Sequence, residues 1–140
     1  MADKTELSDH VIVCGFGVVG ESVVRVLVEH NVKFVIIDKD QKKIDLANSF
    51  GYPVVEGDAT LSKVLRNAGI AKAKAIAIVM DNDAKNLFCV LTARDLNQNI
   101  FISTRANDTF IREKLAEAGA NQVVLPNGSA SREIVGEITK

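Results

Sequence analysis

Three glycines and one aspartate offer the clearest chemistry in this chain. Gly15, Gly17 and Gly20 form a G-x-G-x-x-G triplet directly after the apolar run Val11-Ile12-Val13-Cys14, and an apolar-periodic segment follows at once. Strand, tight turn and helix in that order make a cradle for a dinucleotide's phosphates. The glycines meet different demands: Gly15 permits the sharp turn, Gly17 lets the backbone approach a pyrophosphate, and Gly20 lets the helix pack close to the strand. From Gly15 through Phe16, Gly17, Val18 and Val19 to Gly20, the backbone then presents N–H groups at a helix start, where the helix dipole attracts an anion. Asp38 closes a second apolar run, Phe34-Val35-Ile36-Ile37, and stands 18 residues after Gly20, near the spacing of a carboxylate that holds a ribose. There it would accept hydrogen bonds from both ribose hydroxyls and repel a 2′-phosphate, favouring NAD or a plain adenine nucleotide over NADP. A solvated turn carboxylate is the plainer alternative.

Other polar residues follow the ends of apolar runs. Lys39 is next to Asp38, and Asp58 with Ala59 follows Pro53-Val54-Val55-Glu56, where Asp58 can approach an adenine amino group or, like Thr60, cap the next helix. Asp81, Asn82 and Asp83 follow Ala75 to Met80, and each can contact a ligand or cap the helix after it. Arg105 follows Ile100 to Thr104; its guanidinium suits bidentate phosphate binding, or an ordinary ion pair at the surface or a subunit interface. Catalytic candidates are few. His10 and His30 fall at the edge remote from the ligand and read as surface residues. No nucleophile with an adjacent base, Tyr-x-x-x-Lys pair or metal-ligand cluster occurs, and the one tyrosine, Tyr52, sits at the wrong end of its strand. Cys14 and Cys89 both lie in apolar contexts and read as core residues, with no metal site and no disulfide framework.

The elements that must position these residues alternate regularly. Strands are expected at 10–14, 33–37, 53–56, 75–80, 100–104 and 122–125, and helices at 18–29, 41–50, 61–68, 84–96, about 108–118 and from about 129. Val19, Val23, Val26 and Leu27 make the expected buried stripe of the first helix; Ile44, Leu46, Ala47 and Phe50 that of the second; Phe110, Ile111 and Leu115 that of the fifth. The helix over 84–96 is apolar on more than one side, through Leu87, Phe88, Val90, Leu91 and Ala93, as expected of one that faces a partner subunit as well as the sheet. Strands this apolar belong to a sheet covered on both faces. The fold class is therefore α/β, a doubly wound, Rossmann-type, mostly parallel six-stranded sheet with helices on both faces and strand order 3-2-1-4-5-6. Ligands of such sheets bind beyond the carboxyl ends of the strands where strand order reverses, and five consecutive strands deliver the residues above to that edge.

Length and composition limit the alternatives. At 140 residues we expect a single domain, residues 1–140, too small for a nucleotide domain plus a separate substrate domain. A hydrophobic fraction of 47% with 25% charged residues is that of a soluble globular protein, and no apolar run approaches the roughly 20 residues of a bilayer span. A formal net charge of -1 gives no sign of a nucleic-acid surface. The polar start, Met1-Ala2-Asp3-Lys4-Thr5-Glu6, lacks a signal-peptide apolar region and points to the cytoplasm.

The combination resembles the N-terminal nucleotide-binding domain of the regulator-of-potassium-conductance family, also called KTN or TrkA-N domains, from the glycine turn to about Pro126. The resemblance is carried by Val13-Cys14-Gly15-Phe16-Gly17-Val18-Val19-Gly20, Ile37-Asp38, Gly57-Asp58-Ala59-Thr60 with Leu65 and Ala68-Gly69-Ile70, Ala75-Ile76-Ala77-Ile78 with Asp81-Asn82-Asp83 and Asn86, Ala118-Gly119-Ala120-Asn121 with Val123, and Pro126. It implies a ligand-sensing domain, at the inner face of the cell membrane, of a potassium channel, transporter or glutathione-gated efflux system, binding NAD(H), ATP, ADP or AMP. It further implies a homodimer that assembles into larger rings and gates a pore formed by a membrane partner, without inserting into the membrane itself. The C-terminal effector subdomain of many members has no counterpart after Pro126, so we expect a fragment or a short subunit working with a separate pore. Calcium regulation, known in some members, lacks an acidic cluster here.

Ile134, Val135 and Ile138 fall at helical spacing with no later element to bury them, and the family resemblance makes this last helix a subunit contact. The competing reading is an enzyme, either an NAD-dependent oxidoreductase fragment or an enzyme that uses S-adenosylmethionine.

Overall fold

Strand β1 (Val11–Cys14) is buried along its whole length, and the rest of the architecture explains how. The computed structural model describes residues 6–126 and 128–140, so all but Glu6 of the polar lead, and Asn127 of the Pro126-Asn127-Gly128 break, lie outside the described residues. After β1 come α1 (Val18–Glu29), β2 (Phe34–Asp38), α2 (Gln41–Ser49), β3 (Val54–Glu56) and α3 (Ser62–Asn67). A 3₁₀ turn at Ile70–Lys72 leads to β4 (Ala75–Ile78), α4 (Asp83–Leu96) and β5 (Phe101–Arg105). A second 3₁₀ turn, Thr109–Ile111, precedes α5 (Arg112–Glu117), β6 (Gln122–Val124) and α6 (Gly128–Ile138). The six strands form one sheet in the order β3-β2-β1-β4-β5-β6, and every pair is parallel. The order matches the sequence expectation, and the strand ends shift by one or two residues.

Parallel pairing places β1 between β2 and β4, with Cys14 opposite Ile37 on one side and Ile78 on the other. Successive side chains then alternate between two covered faces. Ile12 and Cys14 join the larger core with Val35, Ile37, Ile76 and Ile102 of the sheet, Val64 and Leu65 of α3, Cys89 and Val90 of α4, and Leu115 of α5. Val11 and Val13 enter a smaller core with Phe16, Val24, Ile36 and Ala47. The smaller core covers β1, β2 and β3 and reaches β4 through Ala75 and, just past the strand's end, Val79; on β5 and β6, Phe101 and Val124 remain exposed.

Local packing corrects several sequence expectations. His10 is fully buried, not at the surface; its Nε2 pairs with the Ala68 carbonyl at 2.8 Å, at the end of α3, and its Nδ1 is buried without a partner. On α1 the fully buried residues are Gly20 and Val24; Val23 and Leu27 of the expected stripe pack half-buried against the smaller core, while Val26 is 47% exposed. Any Cβ at Gly20 would overlap the Gly15 carbonyl, so the close approach at this glycine selects the helix face one turn later at Val24. Leu46 and Phe50 of α2 are exposed, and Ile44 with Ala47 supplies its buried side. Phe110 is 87% exposed because the segment capped by Asp108 begins as a 3₁₀ turn, whose three-residue period swings the ring outward. Neither Asp58 nor Thr60 caps α3, whose capping position is Leu61 with no side-chain bond.

Candidate functional site

The carboxyl ends of β1 to β5 enclose a cleft of about 430 Å³ at the point where strand order reverses. Its floor is the turn after β1. Gly15 holds a φ of +106°, a conformation that side chains disfavour, and its N–H donates to the Ile37 carbonyl at 2.9 Å. Gly20 is held to glycine by its contact with the Gly15 carbonyl. Gly17 is different: its φ of -81° is ordinary, and a Cβ there would meet only the Lys43 Nζ, at 3.5 Å. The chain's own packing therefore gives no reason for glycine at position 17. Gly17 is also the capping residue of α1, which has no side-chain cap, so the first-turn N–H groups are not satisfied by a side chain. Helices α2 and α4, by contrast, are capped by Asp40 and Asn82.

The second wall comes from the end of β2. Asp38 accepts hydrogen bonds from the Phe16 N–H at 2.8 Å and the Asp40 N–H at 2.9 Å, one on each carboxylate oxygen. Each oxygen keeps a further lone-pair site for another donor. Lys39, Asp40 and Lys43 continue this wall. After β3, Gly57, Asp58 and Ala59 form the third side, fixed by the Gly57 N–H donating to the Asp38 carbonyl at 3.0 Å. The Asp58 Oδ1 accepts from the Thr60 N–H at 2.9 Å and the Thr60 hydroxyl at 2.7 Å, closing an Asx turn. Burial pushes the Asp58 carboxyl up, but the Thr60 hydroxyl and N–H together with the charges of Lys39 and Lys85 outweigh it and hold the group below its usual range.

Val79, Met80, Asp81, Lys85 and Arg105 make the far side. Asn86, fully buried, latches it: its Oδ1 accepts from the Met80 N–H at 3.1 Å, and its Nδ2 donates to the carbonyls of Met80 at 2.9 Å and Arg105 at 3.1 Å, tying the ends of β4 and β5 together. Asp83 staples the next loop, accepting from the N–H groups of Asn107 at 2.8 Å and Asp108 at 3.1 Å. The Arg105 Nε donates to the Asn107 Oδ1 at 2.7 Å.

Of the candidate residues named from the sequence, Gly15, Gly17, Val18, Asp38, Lys39, Asp58, Ala59, Asp81 and Arg105 meet on this cleft. The Phe16 ring is buried in the smaller core, edge-on to Tyr52, and its N–H serves Asp38. Val19 and Gly20 lie behind the turn on α1, and the Asn82 side chain accepts the Lys85 N–H as a helix cap at 2.9 Å. Sequence reasoning missed Lys43 and Lys85. Both stand in the first turn of a helix that starts at the cleft, which was the available signal, but their approach to the glycine turn and Asp58 is tertiary. Cys14 and Cys89 are free, buried and 3.8 Å apart; contact with Cys89, burial and nearby negative charge push the Cys14 thiol well up, so Cys14 is not poised as a nucleophile. Among the described residues no group of three or more His, Cys, Asp or Glu is arranged to hold a metal ion, and no helix is long and apolar enough to cross a membrane.

Known proteins are similar to this chain in sequence and fold. Potassium channel protein 1 of Methanocaldococcus jannaschii is 37% identical over 129 residues, covering 90% of this chain and 39% of the channel protein. The glutathione-regulated potassium-efflux system protein KefC of an Enterobacter species is 37% identical over 114 residues, covering 81% of this chain and 18% of that protein. The chain thus spans well under half the length of either relative. Among solved structures, the TrkA-N domain of the Escherichia coli inner membrane protein ybaL superposes with a TM-score of 0.88 at 25% identity, covering 96% of this chain and 99% of that one. The GsuK channel bound to NAD gives 0.77 at 29% identity over 86% of this chain and 22% of that one, and GsuK bound to ADP gives 0.78 at 29% identity over 86% and 32%. The model of the TrkA-N domain matches residues 11–126, from the first residue of β1 to the proline before α6, and the chain belongs to the TrkA-N domain family.

Proposed function

We propose that this chain binds an adenine nucleotide, NAD(H) or ATP, ADP or AMP, in the cleft, and that it is the ligand-sensing regulatory domain of a potassium channel, transporter or efflux system. The observation that carries the reading is Gly17. It is a glycine that neither backbone conformation nor packing requires, at the head of an uncapped helix, on a cleft whose opposite wall is Asp38. A phosphate against that turn supplies both the missing reason and the missing cap. The Asp38 oxygens have acceptor sites left for a ribose diol, and Asp58 and Ala59 border the adenine side. The relatives' association with potassium channels and efflux systems, and the NAD and ADP bound to GsuK, support the same conclusion.

The domain is a binding module without chemistry of its own. It works on the cytoplasmic side, at the inner face of the membrane, and reports occupancy to a pore-forming partner by rearranging a dimer or a larger ring. The apolar surface supports that assembly: Phe88 and Leu91 on the outer side of α4, and Ile134, Val135 and Ile138 on α6, are exposed. Residues 1–140 act as one domain, with α6 as its subunit contact.

Native mass spectrometry of the purified chain, followed by calorimetry with the identified ligand, tests the reading. An adenine nucleotide carried through purification, bound tightly and not turned over, is the expected result. Saturable turnover of NAD(H) with any substrate in a panel would favour an oxidoreductase fragment instead.

A further inference from the structure

A nucleotide in the cleft leaves its cations to be explained. Lys39, Lys43, Lys85 and Arg105 all line it, yet the ion pairs within 4.0 Å among the described residues are Arg25 with Glu21 and Lys140 with Glu137, both outside the cleft. The neighbouring carboxylates are committed to other donors. Asp38 holds two backbone N–H groups, Asp40 caps α2 through the Lys42 N–H, and Asp58 holds Thr60. Arg105 donates to Asn107, and the ammonium groups of Lys39 and Lys85, which have no hydrogen-bond or ion-pair partner among the described residues, help hold the Asp58 carboxyl low. The Lys43 ammonium has no hydrogen-bond or ion-pair partner among the described residues. It lies 3.5 Å from the point where a Cβ at Gly17 would stand, over the glycine that the chain's own packing does not explain.

Its place on the helix sharpens the point. Lys43 is three residues past the Asp40 cap, in the first turn of α2, where the helix dipole disfavours a cation. A lysine in that position, beside a bare glycine and without a partner, would be stabilised by an anion against the turn.

We propose that Lys43 is a phosphate-binding residue, its ammonium paired with the phosphate that sits against Gly17, so that the cleft ranks adenine ligands by phosphate charge, adenosine below AMP and AMP below ADP. This inference rests on the nucleotide reading of the cleft and adds the residue that sets its selectivity. Lys43 crosses from α2 to the turn after β1, so the charge bridges the ribose wall and the phosphate floor. Glutamine at this position keeps much of the side chain's length and removes the charge; arginine restores the charge with a different donor geometry.

Calorimetric titration of the full chain with adenosine, AMP and ADP, in wild type, Lys43→Gln and Lys43→Arg, tests it. A charge-assisted hydrogen bond lost from the site corresponds to roughly a tenfold loss or more. The expected result is that Lys43→Gln weakens ADP and AMP by about tenfold, leaves adenosine unchanged and, without ligand, melts at or slightly above the wild-type temperature, while Lys43→Arg recovers most of the affinity. ADP affinity should also fall less steeply with salt in Lys43→Gln, which decides the matter if adenosine binds too weakly to titrate. Wild-type ADP affinity and salt dependence in Lys43→Gln, or an equal loss for adenosine, would overturn the role of Lys43 and leave the nucleotide site standing. A wild-type chain that binds none of the three, nor ATP or NAD(H), would overturn the site itself, and Lys43 with it.

Discussion

The Asp38 carboxylate accepts a 2.8 Å hydrogen bond from the backbone N–H of Phe16, so the residue that ends β2 also holds the glycine turn that follows β1. The ribose wall and the phosphate floor are therefore one mechanical unit, and a ligand that engages Asp38 acts on the turn through a single bond. Asp38→Ala should weaken NAD and ATP together by about 1.5–3 kcal/mol, the range for losing hydrogen bonds to a charged group. It should also lower the melting temperature of the ligand-free chain, because two backbone donors lose their acceptor. Calorimetry and differential scanning calorimetry read the two effects, and unchanged affinity would remove Asp38 from the site.

The two inner glycines should respond oppositely to a methyl group. Gly20→Ala drives a Cβ into the Gly15 carbonyl and should destabilise the ligand-free chain by about 1–3 kcal/mol or more, as overpacking does. Gly17→Ala meets only the flexible end of Lys43 and should leave ligand-free stability nearly unchanged while weakening ADP binding. Urea titrations with and without ADP separate the cases; a Gly17→Ala chain that binds ADP as wild type does would move the phosphates elsewhere.

Asp58 gives an expectation in pH. Its carboxyl is held below its ordinary value of 3.8 in the folded chain, so its ionised form adds stability above that pH, and the contribution disappears as pH falls through the lowered value. Because the group is largely solvated, the effect is small. Asp58→Asn should be slightly less stable than wild type at pH 7, and the difference should close as the chain is titrated below pH 3.8. A gap that widens in acid would contradict the sign.

Assembly is testable on the apolar residues of α6. Ile134 and Ile138 are both exposed, and replacing both with Asp puts two charges per chain into any contact they make. A two-fold interface doubles the effect, because the same patch occurs on both chains. Light scattering across a concentration range should show a wild-type dimer and a double mutant shifted toward monomer, with nucleotide affinity kept at the distant glycine turn. A monomeric wild type at high micromolar concentration, or a fully dimeric mutant, would sink the proposal.

The sheet was legible because its strands are apolar on both faces and each ends in turn residues. Val11 to Cys14 and Phe34 to Ile37 admit few other roles, and the glycine triplet sets the strand order around them. Helix faces were less legible. Six valines and a leucine on α1 allow several stripes, and the contact of Gly20 with the Gly15 carbonyl chooses among them. His10 was misread for a related reason: its polarity suggests a surface, but parallel pairing carries the strand start beneath the end of α3, where Ala68 supplies the partner. In the cleft, the groups that follow strand ends could be placed from strand order alone. Lys43 and Lys85 could not, since they reach the cleft from helices.

The unequal cover of the two sheet faces has a consequence for motion. β1 and β2 have neighbours on both edges and helices on both faces, whereas β6 is an edge strand and both β5 and β6 leave apolar side chains in solvent. Local opening is governed by how much buried contact must be given up. Amide exchange should therefore be slowest at Val13 and Ile36 and fastest along Gln122–Val124. The compliance is thus confined to β6 at the sheet edge, while the cleft itself is bounded by the glycine turn with Asp38 on one side and by the Asn86 latch on the ends of β4 and β5 on the other.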